Sequence, residues 1–453
     1  MESEELENKS EGEEKPVERE LSPFEQLQES WASLTVDQRH EAFYALPREE
    51  AEEFFLTLGA ADQYELVKDL QTSQKRGWIR ILAPDDAADL IQQFAFEERA
   101  QMLALLDITT MREVVALLAY AEDDAGGLMN PRFVRLRPDV SVDVAIRYLR
   151  AQSKAKIETI HYVYVLDQEQ HLLGAMSFRD LFLAPPDKLV SEMMATDLIT
   201  LPEDMDQEEV SRKFAQCGLS ALPVVDAEGK MKGIVTVDDV VEVVEEEATE
   251  DMQKLGGTEA LDEPYLTISL FAMIKKRAGW LTFLFIGEML TATAMQFYEK
   301  QIEQAVVLAL FIPLIISSGG NSGSQATSLV IRAMALSEVR LRDWWRVFIR
   351  ELIVGSSLGV ILGLIGMVRI LAWPSRHQLY GEHFQLIAGT VAAALVGVVL
   401  WGSIAGSMLP FALRRIGFDP ATSSAPFVAT LVDVTGLVIY FTVASIILHG
   451  VLL

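Results

Sequence analysis

The chain has 453 residues, half of them hydrophobic, yet its formal net charge is −28. At about 100–200 residues per domain, the length suggests two to four domains. The charge is segregated: residues 1–274 carry 57 Asp+Glu against 25 Lys+Arg, and residues 275–453 carry 9 against 13. So acidic a front half repels phosphate backbones, which argues against a nucleic-acid partner. The single cysteine, Cys217, has no intrachain disulfide partner and makes no thiolate zinc site by itself. A large negative field suits a cation as partner, although acidity also serves plain solubility.

In chain order, residues 1–22 are acidic, polar and poor in aromatics, so they are expected to be disordered, and the first thirty residues carry no signal-peptide pattern. A short unit then recurs about every 12 residues, starting near Thr35, Pro47, Gly59, Thr72, Pro84, Phe96 and Ile108. Each unit has early acids and then an apolar pair, as in Pro84-Asp85-Asp86-Ala87-Ala88-Asp89-Leu90-Ile91. Early acids suit the positive N-terminal end of a helix. Two-turn helices do not stand alone, so residues 23–128 are expected to stack as an all-α helical-repeat superhelix.

A longer repeat follows. Asp167, Gly174 and Asp180 recur as Asp226, Gly233 and Asp239, each 59 residues on, within copies that read helix, strand, turn, strand, helix. Arg135-Leu136-Arg137-Pro138 pairs loosely with Thr200-Leu201-Pro202 upstream. Residues 129–245 thus resemble a tandem pair of cystathionine-β-synthase-type (CBS) domains, an α+β unit. The resemblance implies adenine-nucleotide contacts, ATP among them, at Tyr162, Arg179 and Asp180; the same residues also read as repeat framework. A connecting helix within 238–262 carries Glu242, Glu245, Glu246, Glu247, Glu250 and Asp251 before Gly256-Gly257. Carboxylates this close repel one another, and a divalent cation relieves that repulsion. A solvated linker helix is the plainer reading.

Segments long enough to span a bilayer appear only after residue 277: 279–297, 305–330, 352–372, 386–412 and 426–448. Ten basic residues (Lys275, Lys276, Arg277, Arg332, Arg340, Arg342, Arg346, Arg350, Arg414 and Arg415) fall on one side, and Lys300, Arg369 and Arg376 on the other. Residues 263–453 are therefore expected to form a five-helix transmembrane domain in the plasma membrane, with the N-terminus cytoplasmic and the C-terminus outside. Trp344 and Trp345 make 341–350 read as an amphipathic helix on the inner surface.

Two acids lie inside spans, Glu288 and Asp433. A carboxylate at membrane depth costs ~2.5–3.5 kcal/mol even on the lenient insertion scale, so it faces a pore or a partner. Asp433 lies roughly 10 Å into the fifth span at 1.5 Å per residue, and Ala429 shares its face. A protonated Asp bonded to another helix is the alternative. Glu288 reads either as lining the same path or, by slight preference, as making an interhelical hydrogen bond. The second span is interrupted by Gly319-Gly320-Asn321-Ser322-Gly323-Ser324-Gln325, which favours a bent or locally opened backbone. One carboxylate binds a dication poorly. A homodimer with the fifth spans at its axis would supply two, holding a largely hydrated Mg2+ through water.

Taken together, this organisation resembles the MgtE-type magnesium channel/transporter family. The matching motifs are Gly319 to Gln325, Asp419-Pro420, Pro426-Phe427-Val428-Ala429-Thr430, Asp433-Val434-Thr435-Gly436, and Glu247-Ala248-Thr249-Glu250-Asp251 for the family's plug helix. The resemblance covers about residues 23–453. It implies a homodimer with an axial pore, Asp433 as the selectivity acid with the Ala429 carbonyl nearby, and closure when cytosolic Mg2+ binds. Its implied sensor acids are Asp85, Asp89, Asp206, Glu208, Asp239 and Glu242, with Glu247, Glu250, Asp251 and Asp419 at the plug and pore mouth. Gly218 stands where a relative can carry a sensor Asp, Ala425 replaces a polar residue, and Glu242 is longer than the expected Asp.

The leading expectation is voltage-driven, gated Mg2+ influx without an enzyme activity; no P-loop pattern is present. Transport of Co2+ or Mn2+, cation-coupled carriage, a pore-less sensor and an intramembrane aspartyl protease are the alternatives, the last because facing carboxylates can share a proton.

Overall fold

The structure, a computed structural model, describes residues 22–152, 161–261, 265, 266 and 268–452. The expected disorder of 1–22 lies outside the described residues except at Ser22, whose side chain forms a capping box with Glu25 at the start of α1 (Pro23–Ser30). The chain forms two compact units, Met1–Val244 and Glu245–Leu453.

In the first unit, short helices follow one another: α2 (Val36–Ala45), α3 (Arg48–Leu56), α4 (Ala60–Val67), α5 (Thr72–Ile79), α6 (Pro84–Gln92), α7 (Phe96–Leu103), α8 (Ile108–Leu117) and the single turn α9 (Ala125–Leu128). The caps of α2 to α8 are Thr35, Pro47, Gly59, Gln71, Ala83, Ala95 and Asp107, an unbroken 12-residue spacing. The sequence periodicity therefore marks helix starts, with Thr72, Pro84, Phe96 and Ile108 as first helical residues rather than caps. In the units that begin near Pro47, Gly59, Thr72 and Pro84 the apolar pair goes inward: Phe54, Phe55, Leu66, Val67, Trp78, Ile79, Leu90 and Ile91 are all buried, whereas Tyr44 and Val115 of the Thr35 and Ile108 units are exposed. Alternate helices touch, α4 on α6 and α6 on α8.

Two three-stranded sheets follow. One comprises β1 (Arg135–Leu136), β2 (Tyr162–Leu166) and β3 (Leu172–Ser177) with α10 (Val142–Gln152), α11 (Phe178–Leu183) and α12 (Val190–Met193). The other comprises β4 (Leu201–Pro202), β5 (Ala221–Val225) and β6 (Met231–Thr236) with α13 (Gln207–Cys217) and α14 (Val237–Leu255). Tyr162 pairs with Ser177 and Ala221 with Thr236, and the register shifts at Val165/Leu166 and Val224/Val225, so the 59-residue offset holds residue pair for residue pair. Strand alternation explains the burial: Val163 and Val165 join the core under α10 and α11, while Tyr164 and Leu166 pack with Met231 and Ile234 of the other copy.

The unit boundary falls inside α14. In the second unit come α15 (Leu270–Phe297), α16 (Glu299–Gln304), α17 (Ile312–Ala335), α18 (Trp344–Leu371), α19 (Arg376–Tyr380), α20 (Phe384–Arg415) and α21 (Ala425–Ile447). Among the described residues five helices are long and apolar enough to cross a membrane: Leu270–Phe297, Val306–Ala335, Leu341–Leu371, Phe384–Arg415 and Ala425–Ile447. Two expectations need correction. The glycine-rich stretch of α17 is unbroken α-helix; its glycines serve close helix approach, since a side chain on Gly402 of α20 would collide with the Gly319 carbonyl, and one on Gly406 with that of Gly323. Likewise 341–350 is no separate surface helix. After one 3-10 turn at Leu341–Asp343 it runs directly into α18, because no proline separates Trp344 from Leu371.

Candidate functional site

Three groups of expected residues can be followed in the structure. The first is in Met1–Val244, where α6 brings acids toward the start of α14. Asp89 is pushed well above the usual carboxylate range by burial and then by the charges of Asp86, Glu122, Asp239 and Glu242. Asp239 is pushed up to about 7, again by burial first, with Asp238 and Asp86 adding to it and the hydrogen bonds from Thr236 opposing it. Burial and Asp123 also raise Glu122 against the pull of Arg99. Five carboxylates thus crowd one place. Hard oxygen donors under mutual repulsion fit Mg2+ or Ca2+ and not a soft metal. Asp86 and Glu122 belong here although sequence reasoning missed them. The signal was present in the early acids of the 84–91 unit and the run Glu122-Asp123-Asp124.

The other expected acids of this unit are engaged differently. Asp85 is buried and its Oδ1 accepts from Asn130 Nδ2 at 3.1 Å, while Asn130 exchanges both backbone bonds with Ile234 of β6. Asp206 caps α13 by accepting from the Glu208 amide at 2.9 Å and lies opposite Asp124 in an isolated bridge. Glu208 pairs with Arg212 at 3.2 Å. Gly218, where a relative can carry an acid, is the left-handed C-cap of α13 at φ +64°, a conformation in which glycine costs least.

The expected nucleotide residues converge where β2 begins and α11 starts, since Tyr162 pairs with Ser177, the cap of α11. Asp180 accepts from Ser177 Oγ at 2.6 Å, as Asp239 does from Thr236 Oγ1 in the second copy. The terminal Asp of each repeat therefore secures a strand-to-helix junction. A separate cavity of about 520 Å3, lined by Arg135, Arg137, Tyr148 and Asp167 among others, has no counterpart in the sequence reading. Nor does the turn in which one ligand atom each from Asp167, Glu169 and His171 lies within 4.8 Å of the others.

The remaining residues lie in Glu245–Leu453. Glu247, Glu250, Asp251 and Lys254 are three or four apart on α14 and share a face. Lys254 Nζ bonds Glu250 Oε1 at 2.5 Å and Asp419 Oδ2 at 2.7 Å. Burial lowers its affinity for the proton, but Asp419 and Glu250 outweigh that and leave the ammonium held above its ordinary range. Asp419 also caps the turn before α21, taking the Ala421 amide at 2.8 Å. Beyond it, Ser424 caps α21 and accepts from Trp280 Nε1 at 3.2 Å.

Within α21, Ala429 and Asp433 are half-buried, and both face Gly320 of α17. Glu288 on α15 is the other acid in the electrostatic neighbourhood of Asp433. It is exposed and makes no hydrogen bond among the described residues, so the preferred interhelical bond is not found.

Comparison with known proteins bears on this arrangement. The family model for a divalent cation transporter matches residues 312–443, that for the MgtE intracellular N domain matches 22–123, and CBS domain models match 125–187 and 190–246. The magnesium transporter MgtE of Thermus thermophilus is 39% identical over 424 residues, covering 93% of this chain and 92% of that one. The chain belongs to the MgtE family of magnesium transporters. Its Enterococcus faecalis relative, also a magnesium transporter MgtE, is 34% identical over 334 residues, 74% of this chain and 71% of that one. Among solved structures, the cytosolic domain of the Mg2+ channel MgtE in complex with ATP is 38% identical and covers 49% of this chain and 91% of its own, with a TM-score of 0.45. The transporter is a multi-pass membrane protein, not an enzyme, and Mg2+ is its cargo.

Proposed function

We propose that this chain works as a homodimeric, Mg2+-selective channel, with the N-terminal unit cytoplasmic, the C-terminus outside, and influx driven by the membrane potential. At −100 mV the potential favours entry of a dication by about 4.6 kcal/mol, twice the single-charge figure, so no coupled hydrolysis is needed. The observation that carries the reading is Asp433: a half-buried carboxylate inside an apolar helix, beside Ala429 and facing glycine. Two copies of it across a dimer axis match one dication, and water between ion and carboxylate suits Mg2+.

Closure is assigned to the acids on the cytosolic side. Mg2+ relieves the crowding of Asp89, Asp239 and Glu242, with Asp85, Asp206 and Glu208 flanking. The helix α14, which starts at that cluster and carries Lys254 in its last turn, acts as the plug through Glu247, Glu250 and Asp251 against Asp419. Residues 23–128 are assigned to a helical superhelix, 129–245 to the CBS pair, 238–262 to the plug helix and 263–453 to the pore domain. An adenine nucleotide, ATP by preference, is assigned to Tyr162, Arg179 and Asp180.

The test is Mg2+ uptake into liposomes holding purified protein at low internal Mg2+, wild type beside Asp433→Ala. Fast voltage-driven uptake that the substitution abolishes or renders unselective supports the reading. Equal uptake by both proteins removes Asp433 from the ion path, and no uptake by a folded wild type turns the reading toward a sensor.

A further inference from the structure

Most glycines where α17 meets α20 and α21 have a packing reason to lack a side chain. A Cβ on Gly319 would meet Val432 Cγ1 at 2.8 Å, and one on Gly323 would meet Val428 Cγ1 at 2.7 Å. Those on Gly402 and Gly406 would strike the backbone of α17. Gly320 differs. A Cβ there would lie 3.5 Å from Ala429 Cα and Cβ and 3.9 Å from Asp433 Oδ1, which is ordinary van der Waals distance. Alanine therefore fits at 320 without displacing any protein atom, and it is the better helix former. Neither packing nor helix propensity accounts for glycine at a buried mid-helix position. The space a side chain would fill is the space facing the two residues of the proposed ion site.

We propose that Gly320 is a specificity-determining residue: its missing side chain leaves room against the Asp433 carboxylate for water of the ion's hydration shell. The physical argument is one of size and polarity. Mg2+ gives up its water reluctantly, so a site that takes it must admit the ion together with that water. A methyl group at 320 would displace a water from the carboxylate without replacing its hydrogen bonds, which weakens binding of the hydrated ion. Mn2+ exchanges its water more readily and loses less. The inference rests on the reading of Asp433 as the ion site.

The experiment is uptake of Mg2+ and, separately, Mn2+ into liposomes by full-length wild type, Gly320→Ala, Gly320→Ser and Asp433→Ala, with thermal melting of each. Gly320→Ala is expected to melt no lower than wild type and to lower Mg2+ uptake by about tenfold or more, the scale of one methyl group in a fitted site. Its Mn2+ uptake falls less, so the Mn2+/Mg2+ ratio rises. Gly320→Ser, whose hydroxyl can donate to Asp433 in place of the lost water, retains more Mg2+ uptake than Gly320→Ala. The inference is overturned by wild-type rates and ratio in Gly320→Ala, by an equal fall for both ions, or by a lowered melting point that restores a packing role. Wild-type uptake by Asp433→Ala is a different failure: it removes the ion-site reading itself.

Discussion

Replacing Asp239 by Asn is expected to stabilise the transporter when no divalent cation is present. Asp239 is pushed from an ordinary 3.8 up to about 7, chiefly by burial. Between about pH 4 and pH 7 the folded chain therefore binds a proton that the unfolded chain has lost. Stability falls as pH rises through that window, and the whole penalty is felt above pH 7. Roughly three pK units at 1.36 kcal/mol each set an upper limit of about 4 kcal/mol, and sharing of protons with Asp89 and its neighbours brings this to about 2–4 kcal/mol. Asparagine keeps an oxygen to accept from the Thr236 amide and hydroxyl, bonds of 3.1 and 2.6 Å, so the junction at the start of α14 survives. At about 2–4 °C per kcal/mol for a domain of this size, the first unit gains roughly 4–16 °C in Tm. Trp31 and Trp78, both buried in that unit, report its unfolding by fluorescence. With EDTA at pH 8 the variant melts higher than wild type; at pH 5 the gap shrinks because wild-type Asp239 is then protonated. Added Mg2+ stabilises wild type more than the variant. A variant that melts at or below wild type at pH 8, or an equal gap at both pH values, refutes the crowded-carboxylate reasoning.

Lys254→Met removes the ammonium shared by Glu250 and Asp419. The Mg2+ concentration that half-inhibits uptake is expected to rise about two- to fivefold, the range of a partly exposed ion pair; tighter inhibition would mean that the ammonium competes with Mg2+ instead of bridging. Gly402→Ala drives a methyl group into the Gly319 carbonyl and is expected to destabilise the membrane unit by about 1–3 kcal/mol, read as a lower Tm in detergent. Asp107→Ala removes the cap that accepts from the amides of Thr109 and Thr110. It is expected to cost about 1 kcal/mol at pH 7. The Thr110 hydroxyl and amide hold the Asp107 carboxyl below the usual range, so the cost shrinks only as strong acid protonates the wild-type group.

Repetition made the first unit legible. The 12-residue spacing is carried by early acids and apolar pairs, and it reappears as caps from Thr35 to Asp107. The 59-residue offset reappears as matching strand registers, because a strand pair tolerates no slip without turning its core face outward. Between the strands the copies differ: 29 positions separate Leu136 from its partner region at Val165, but 23 separate Leu201 from Val224. Glycine was misread in α17, where local propensity points to an opened backbone and tertiary packing overrides it. No local pattern tells a glycine that lets another backbone approach from one that bends its own. The acid cluster was half legible. Asp89, Asp239 and Glu242 followed from the family resemblance, whereas Asp86 and Glu122 join them only through the way α6 and the 122–124 loop fold toward α14, a contact between distant segments that charge runs do not encode.

The charge at the ion site leads to one more prediction. A single Asp433 balances half of a dication, so a second negative charge is required. Within one chain the candidate is Glu288, the other acid in the neighbourhood of Asp433; in the proposed homodimer it is the second Asp433. The two sources differ in what Glu288→Gln does, since glutamine keeps the size and hydrogen-bonding reach of the side chain and removes only its ability to ionise. If two Asp433 carboxylates balance the ion, Glu288 is not needed for charge, and Mg2+ uptake by Glu288→Gln stays within about threefold of wild type, a barrier change of under ~1 kcal/mol. That is the expected outcome, because Glu288 is exposed on α15, whereas Gly320 of α17 opens directly onto Ala429 and Asp433. A loss of uptake as deep as that of Asp433→Ala would place the second charge on Glu288. It would also remove the electrostatic reason for putting two fifth-span helices at a common axis.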